Sequence, residues 1–249
     1  MPRATGPQRL SARSAILSTL LGAHPGQATP AGILAIAAEL GLGESAVRVA
    51  LTRMVAGGDL ERVDGLYRLS DRLVERQRRQ DASIHPGLRK WNGCWRLVVV
   101  SVPADDAGAR NATRAALAGA RFGELREGVW TRPANLDVIL DDDPAVAGRV
   151  TLFDAEPDEP AVELADRLFG PTRWAERAEE LIASLDGAVE LRDRFEVAAQ
   201  VVRHIMRDPL LPEPLLPTPW PGARIRTGYE RFRDEFGAHV ARVLDRAHG

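Results

Sequence analysis

Ser45, Arg48, Val49 and Thr52 recur at helical spacing on one side of residues 42–56, while Val47, Leu51 and Met54, flanked by Ala50 and Val55, recur on the other. The first stripe is short, polar and basic; the second is apolar. A helix of this kind buries one stripe and can offer the other to the major groove of a duplex. There a guanidinium forks onto guanine, and small hydroxyl or apolar side chains approach base edges or a thymine methyl without clash. Arg48 is the candidate for a base edge, and Arg53, nearer the rim of the same face, for a phosphate. Arg62 and Arg68 lie in two short runs around Asp64-Gly65 and add positive charge to a ribbon that could touch phosphate or the minor groove.

Such a helix needs a small core to hold it. Residues 11–21 place Ile16, Leu17, Leu20 and Leu21 on one face. Thr29 can cap and Pro30 can open a second helix, with Ile33, Leu34, Ala37 and Leu40 facing inward. Gly41-Leu42-Gly43 makes the turn, with Gly41 suited to a left-handed C-terminal cap. The third helix, residues 44–56, stops at Gly57-Gly58, and residues 60–63 and 66–69 read as strands joined by Asp-Gly, a favoured two-residue hairpin turn. The pattern predicts a winged helix-turn-helix DNA-binding domain over residues 1–70. Gly41-Leu42-Gly43 does not make a phosphate-binding loop, because no strand leads into it and the third glycine of that fingerprint is missing.

The formal net charge of the 249 residues is −2, yet residues 1–90 hold 13 Lys and Arg against 8 Asp and Glu, and the remainder holds 20 against 27. Positive charge therefore gathers around the predicted reading helix. The length allows two or three domains. One cysteine, Cys94, forms no internal disulfide and fits a reducing cytoplasm. Arg3, Arg9 and Arg13 ahead of residues 15–23 imitate a secretory signal, but Ser18 and Thr19 interrupt the apolar run and its spacing suits the first helix. No later segment approaches the ~18–20 apolar residues of a membrane span, so a soluble cytoplasmic protein is expected.

Residues 71–90, rich in Arg and Gln with Leu73 and Val74 the early apolar exceptions, are expected to form a solvated connector helix ending before His85-Pro86-Gly87. Residues 91–160 read as strand 95–102, helix 107–119, a hairpin through Glu127-Gly128, and strands 136–140 and 150–153 with Asp141-Asp142-Asp143-Pro144 turning between them. That alternation fits a ferredoxin-like, split βαβ unit. Helices dominate residues 161–249: Val162, Leu164, Ala165, Leu168 and Phe169 form one stripe, Trp174, Ala178, Leu181, Ile182 and Leu185 another, and Phe195, Val197, Ala198, Val201, Val202, Ile205 and Met206 make a third helix, ended by Asp208-Pro209. Pro212, Pro214, Pro217, Pro219 and Pro221 stiffen a strap around Leu215, Leu216 and Trp220, expected to pack across a helical bundle, and a last helix covers roughly residues 225–247. The expected class is α+β multidomain.

Five separated blocks carry a family resemblance in the right order. They are Ser11-Ala12-Arg13-Ser14 with Leu20-Leu21-Gly22; Ala46-Val47-Arg48 with Leu51-Thr52-Arg53-Met54; Trp91-Asn92-Gly93-Cys94-Trp95-Arg96-Leu97; Phe122-Gly123-Glu124-Leu125 with Gly128-Val129-Trp130; and Arg207-Asp208-Pro209-Leu210-Leu211-Pro212 with Leu215-Leu216-Pro217 and Trp220-Pro221-Gly222. In these blocks the chain resembles the PaaX family of transcriptional repressors, known for controlling phenylacetic acid catabolism. The resemblance implies a winged helix, a central domain similar to the nuclease of CRISPR adaptation, a helical C-terminal domain and a homodimer. It also implies an operator in double-stranded DNA and relief of repression by an aryl-CoA thioester such as phenylacetyl-CoA, with no resident cofactor.

A CoA thioester brings phosphates, which want arginines or helix N-termini, and an aromatic acyl group, which wants an apolar pocket. Two clusters answer that description: Arg203, His204 and Arg207 on the third C-terminal helix beside the strap with Trp220, and Arg110 and Arg114 on one face of the central helix near Trp130. Catalysis finds less support, since His-Glu-x-x-His, paired Cys-x-x-Cys and Gly-x-Ser-x-Gly are all missing and the histidines at 24, 85, 204, 239 and 248 are scattered. The rival enzyme reading is a metal-dependent nuclease, which needs an aspartate at the end of the first central strand. That strand ends Val100-Ser101-Val102-Pro103, with Asp105 and Asp106 only beyond the proline. The rival from a third class is a ligand-sensing adaptor that uses its winged helix to dock protein.

Overall fold

The computed structural model describes residues 10–103 and 106–248, with side chains to residue 243. Arg3, Arg9 and Asp105 lie outside them. The chain divides into two compact units, one of residues 1–84, 178–206 and 222–249, the other of residues 85–177 and 207–221. The helical segment 161–249 is thus shared between the two.

The first unit begins with helix α1 (Ala12–Gly22), capped by the Ser11 hydroxyl, which accepts from Ser14 N at 3.1 Å. Strand β1 (Gln27–Ala28) leads to helix α2 (Pro30–Glu39), where Thr29 caps and Pro30 takes the first turn as its fixed φ permits. Gly41 turns the chain at φ +69°, open to glycine at no steric cost, and α3 (Glu44–Ala56) follows. Strands β2 (Leu60–Val63) and β3 (Leu66–Leu69) form a hairpin in which Asp64 and Gly65 both have positive φ, 51° and 76°, as a type I′ turn demands. β3 is central, pairing antiparallel with both β1 and β2. One apolar cluster joins the three helices to the sheet through Leu17, Leu20, Val47, Leu51, Met54, Leu60 and Leu69.

Helix α4 (Asp71–Ile84) does not run free in solvent as its polar composition predicts. Leu73, Gln77, Gln80, Ser83 and Ile84 form a buried face. Gln77 Nε2 donates to the carbonyls of Leu20, Leu21 and Ala23 at 3.3, 3.0 and 2.7 Å, and so covers oxygens that the end of α1 leaves without helical partners. Helices α8 (Leu191–Ile205) and α9 (Gly222–His248) complete this unit: α8 packs on α4, and α9 on α2 and α8.

The second unit is built on a four-stranded antiparallel sheet of β4 (Trp95–Val100), β5 (Gly123–Arg126), β6 (Val129–Pro133) and β7 (Val150–Ala155), in the order β5-β6-β4-β7. Helix α5 (Ala107–Gly119) joins β4 to β5, and Leu117 packs with Val98, Phe122 and Trp130. Residues 136–140 are not the expected strand. Leu140 and Val146 are buried while Ile139 is 73% exposed, so the segment fills the core with isolated anchors instead of pairing along an edge. Helix α6 (Ala161–Phe169) buries Leu164 and Ala165 but leaves Val162 exposed, against the predicted stripe. Helix α7 (Pro171–Gly187) follows and crosses the boundary between the units.

The proline strap packs on this sheet unit and not on a helical bundle: Leu211 and Leu215 join Trp95, Leu164 and Ala165 in one cluster. Arg132, fully buried, holds it with neutral oxygens. Its guanidinium donates to the carbonyls of Pro133, Ala120 and Arg121, to Asn135 Oδ1 and to Leu210 O, while Asn135 Nδ2 donates to Leu210 O at 2.9 Å. Burial, with Arg121 close by, pulls Arg132 down to about 9, which leaves it a cation at neutral pH.

Candidate functional site

Helix α3 presents the two stripes predicted for it. Val47, Leu51 and Met54 are at most 3% exposed, whereas Ser45, Arg48, Val49, Thr52 and Arg53 are all solvent-exposed. Each buried anchor of this size contributes roughly 1.5–3 kcal/mol, so the helix is held from behind and its outer face is free of structural duty. Ala50 is half-buried and Val55 exposed, which narrows the inner stripe to the three anchors.

The arginine nominated for base contact is already engaged. Arg48 Nε and Nη2 both donate to Glu44 Oε1, at 2.8 and 2.6 Å, one helical turn back. Thr52 Oγ1 donates to Arg48 O at 3.1 Å, so its hydroxyl hydrogen is committed to the helix backbone. The Arg48–Glu44 pair holds the guanidinium along the helix surface in an orientation the sequence did not disclose.

On the wing, register separates the two arginines. Arg62 lies opposite Tyr67 and shares its face with Leu60 and Leu69, whereas Arg68 lies opposite Glu61 on the other face. Arg62 is exposed, with its guanidinium carbon 5.9 Å from the Tyr67 ring centre. Arg68 is half-buried on the central strand, 3.8 Å from Asp64, and its Nε is buried without a hydrogen-bond partner among the described residues. Arg62 therefore has the greater freedom to reach a phosphate.

A buried carboxylate ties these pieces together. Asp59, between α3 and β2, accepts from Arg13 at 2.7 Å and from Arg72 at 2.5 Å, and so pins α1 and α4 to the base of the wing. Burial pushes its pKa up, but the hydrogen bonds and charges of Arg13 and Arg72 outweigh that and hold it below the ordinary aspartate value.

Of the two arginine clusters, the central one lies within a single unit. Arg110, Arg114 and Trp130 line a cleft of about 370 Å³ between α5 and the β5–β6 hairpin. Arg114 is paired with Glu124 at 2.5 Å and sits 5.9 Å from the Trp130 ring centre, so its charge is compensated and it covers a ring that is itself buried. Helix α8 ends at Ile205 because Pro209 lacks an amide proton and disfavours helix at Asp208, so Arg207 is not on the helix with Arg203 and His204. Arg203 and His204 belong to the first unit, Arg207 and Trp220 to the second, where Trp220 stacks on Trp174 at 4.6 Å.

No group of three or more His, Cys, Asp or Glu side chains among the described residues is arranged to hold a metal ion. Asp106 caps α5 by accepting from Ala109 N at 2.8 Å, and Asp143 accepts from Ala145 N at 2.9 Å within its turn. No helix among the described residues is long and apolar enough to cross a membrane.

The chain thus carries an exposed helix face with Arg48 and Arg53 on a helical core with a hairpin, and an antiparallel sheet in its second unit. Three family models cover the chain in sequence: PaaX-like protein over residues 11–73, the PaaX protein central Cas2-like domain over 88–164, and the PaaX-like protein C-terminal domain over 171–246. The chain belongs to the PaaX family, and at the level of that family it is a PaaX-type regulator of phenylacetic acid catabolism. The solved structure of the uncharacterized protein Rv0674 from Mycobacterium tuberculosis is similar to it, with 44% identity, 94% of this chain and 99% of that one covered, and a TM-score of 0.79. No curated protein matches the chain.

Proposed function

We propose that this protein is a DNA-binding transcriptional repressor of aromatic-acid catabolism genes that acts as a homodimer and releases its operator when an aryl-CoA thioester binds. The observation that carries the reading is the division of α3, with Val47, Leu51 and Met54 buried and Ser45, Arg48, Val49, Thr52 and Arg53 exposed. In this reading α1, α2 and α3 with the β1–β3 sheet form a winged helix-turn-helix. Two copies of α3 enter successive major grooves about one helical turn apart, or a multiple of it. The β5-β6-β4-β7 order supports a ferredoxin-like central domain whose second helix is reduced to the turns of residues 141–149. That domain links and dimerises the heads without catalysis. The effector acts by differential affinity for operator-competent and operator-incompetent states.

A salt-titrated mobility shift with the full-length protein and its own upstream region tests this. A saturable shift that weakens steeply with salt and survives excess random DNA is expected. No saturable shift on that region would refute the reading and favour an adaptor that docks protein through the same helix.

A further inference from the structure

Helices α1, α4, α8 and α9 of the first unit line a half-open pocket of about 150 Å³, to which α3 contributes no residue. Its apolar wall is aromatic. Phe195, Phe232 and Phe236 are mutually packed at ring-centre distances of 5.2–6.5 Å, and Tyr229 lies beside them. Its cationic lining comes from Arg76, Arg203 and Arg233, one on each of three helices. Arg233 meets only its neighbour Asp234 at 3.6 Å among the ion pairs of the described residues, and Arg76, half-buried, has no ion-pair or hydrogen-bond partner among them.

That combination is unusual for a packing defect. A void left by imperfect packing is lined by apolar groups, whereas here a cation on α4 is held at an aromatic cavity without a counter-charge. A cavity of about 150 Å³ holds one benzene-sized ring and little more. The uncompensated guanidinium of Arg76, with Arg233 held only by a 3.6 Å contact to Asp234, then calls for an anionic group joined to that ring.

We propose that this pocket is a binding site for a ligand that joins an aromatic ring to an anionic group, as phenylacetate does, the ring seated against Phe195, Phe232 and Phe236 and the anionic portion held by Arg76 and Arg233. The inference rests on the effector part of the function proposed above and locates it. The Arg110–Arg114–Trp130 cleft suits such a ligand less, because Glu124 already neutralises Arg114 and the ring there is covered. The pocket also touches the reading head through one shared element: Ser18, Thr19 and Gly22 of α1 line it, while Leu17 and Leu20 of α1 pack in the cluster that holds Val47 and Leu51 of α3.

The test is isothermal titration of the full-length protein with phenylacetyl-CoA, phenylacetate and free CoA. Three variants are compared, each checked for its melting transition and for DNA affinity without probe. Phenylacetyl-CoA or phenylacetate is expected to bind the unmodified protein at one site per chain. Ala199→Phe, which fills the pocket, is expected to abolish that binding, and Arg76→Gln to weaken it at least tenfold, whereas Arg114→Gln leaves it unchanged. Arg76→Gln keeps the test decisive if Ala199→Phe does not fold. No heat with either ring-bearing probe overturns the proposal, as does unchanged binding by both pocket variants or loss through Arg114→Gln. An absent mobility shift with intact probe binding would instead remove the DNA reading and leave the pocket standing.

Discussion

Replacing Arg48 by alanine separates base reading from mere attraction to DNA, and the structure sets the size of the effect. The guanidinium must leave Glu44 before it can reach a base. Both partners are about two-thirds exposed, 63% and 65%, so that separation costs about 0.3–0.5 kcal/mol, the range for an i,i+4 pair on a helix surface. A bidentate contact with guanine returns about 1–3 kcal/mol of discrimination. The balance of about 0.5–2.7 kcal/mol per reading helix corresponds to roughly 2- to 85-fold in affinity, at about 1.4 kcal/mol per tenfold. Fluorescence anisotropy on the upstream region and on a scrambled duplex, at matched salt, measures it. Arg48→Ala is expected to lose that factor on the specific site and far less on the scrambled one, with an unchanged melting temperature because the side chain supports nothing behind it. Glu44→Gln is expected to tighten both duplexes, since it frees the guanidinium and removes a negative charge from the groove-facing stripe. Equal loss on both duplexes for Arg48→Ala would refute the assignment.

Other perturbations probe the remaining parts. Arg62→Ala should weaken all sequences alike and lower the slope of log affinity against log salt by about 1, as loss of one phosphate contact does; a change confined to one sequence contradicts it. Gln77→Leu should destabilise the first unit by roughly 1–3 kcal/mol, because buried carbonyls at the end of α1 lose their donor, and chemical denaturation reads this directly. Asp59 has a depressed pKa, so its ion pairs stabilise the fold above the unfolded aspartate value near ~4 and are lost as pH falls through the lower folded value. Asp59→Asn should therefore lower the melting temperature at pH 7, and the gap from the unmodified protein should close towards pH 3; a gap of constant size would show that the charge is not the cause.

The three N-terminal helices and their hairpin were legible because their signals are local. Capping by Ser11 and Thr29, the turn at Gly41, the bounds of α3 and the Asp64-Gly65 hairpin all follow from one residue's conformational or hydrogen-bonding preference acting within a few positions. The sheet of the second unit was mostly legible as well, since β-branched runs and turn residues mark β4, β5, β6 and β7. Residues 136–140 misled because an apolar run with Val and Ile looks the same whether it pairs with a neighbour or plugs a core. Helix α4 misled for a related reason: Gln77 and Gln80 count as polar in any pattern, yet each is buried with partners 57 and 149 positions away along the chain.

What the amino-acid order determined by itself was therefore which stripe of α3 is apolar, which is cationic, and that a turn and a hairpin flank it. Tertiary structure alone decided that Glu44 holds Arg48, that Arg62 and Arg68 face opposite ways, that the proline strap belongs to the sheet unit, and that Arg76, Arg203 and Arg233 converge on an aromatic pocket. The physical reason is range. Caps, turns and stripes are set by neighbours within about one or two helical turns, while the partner of a long charged side chain is whichever group the packing of distant helices and strands brings within reach.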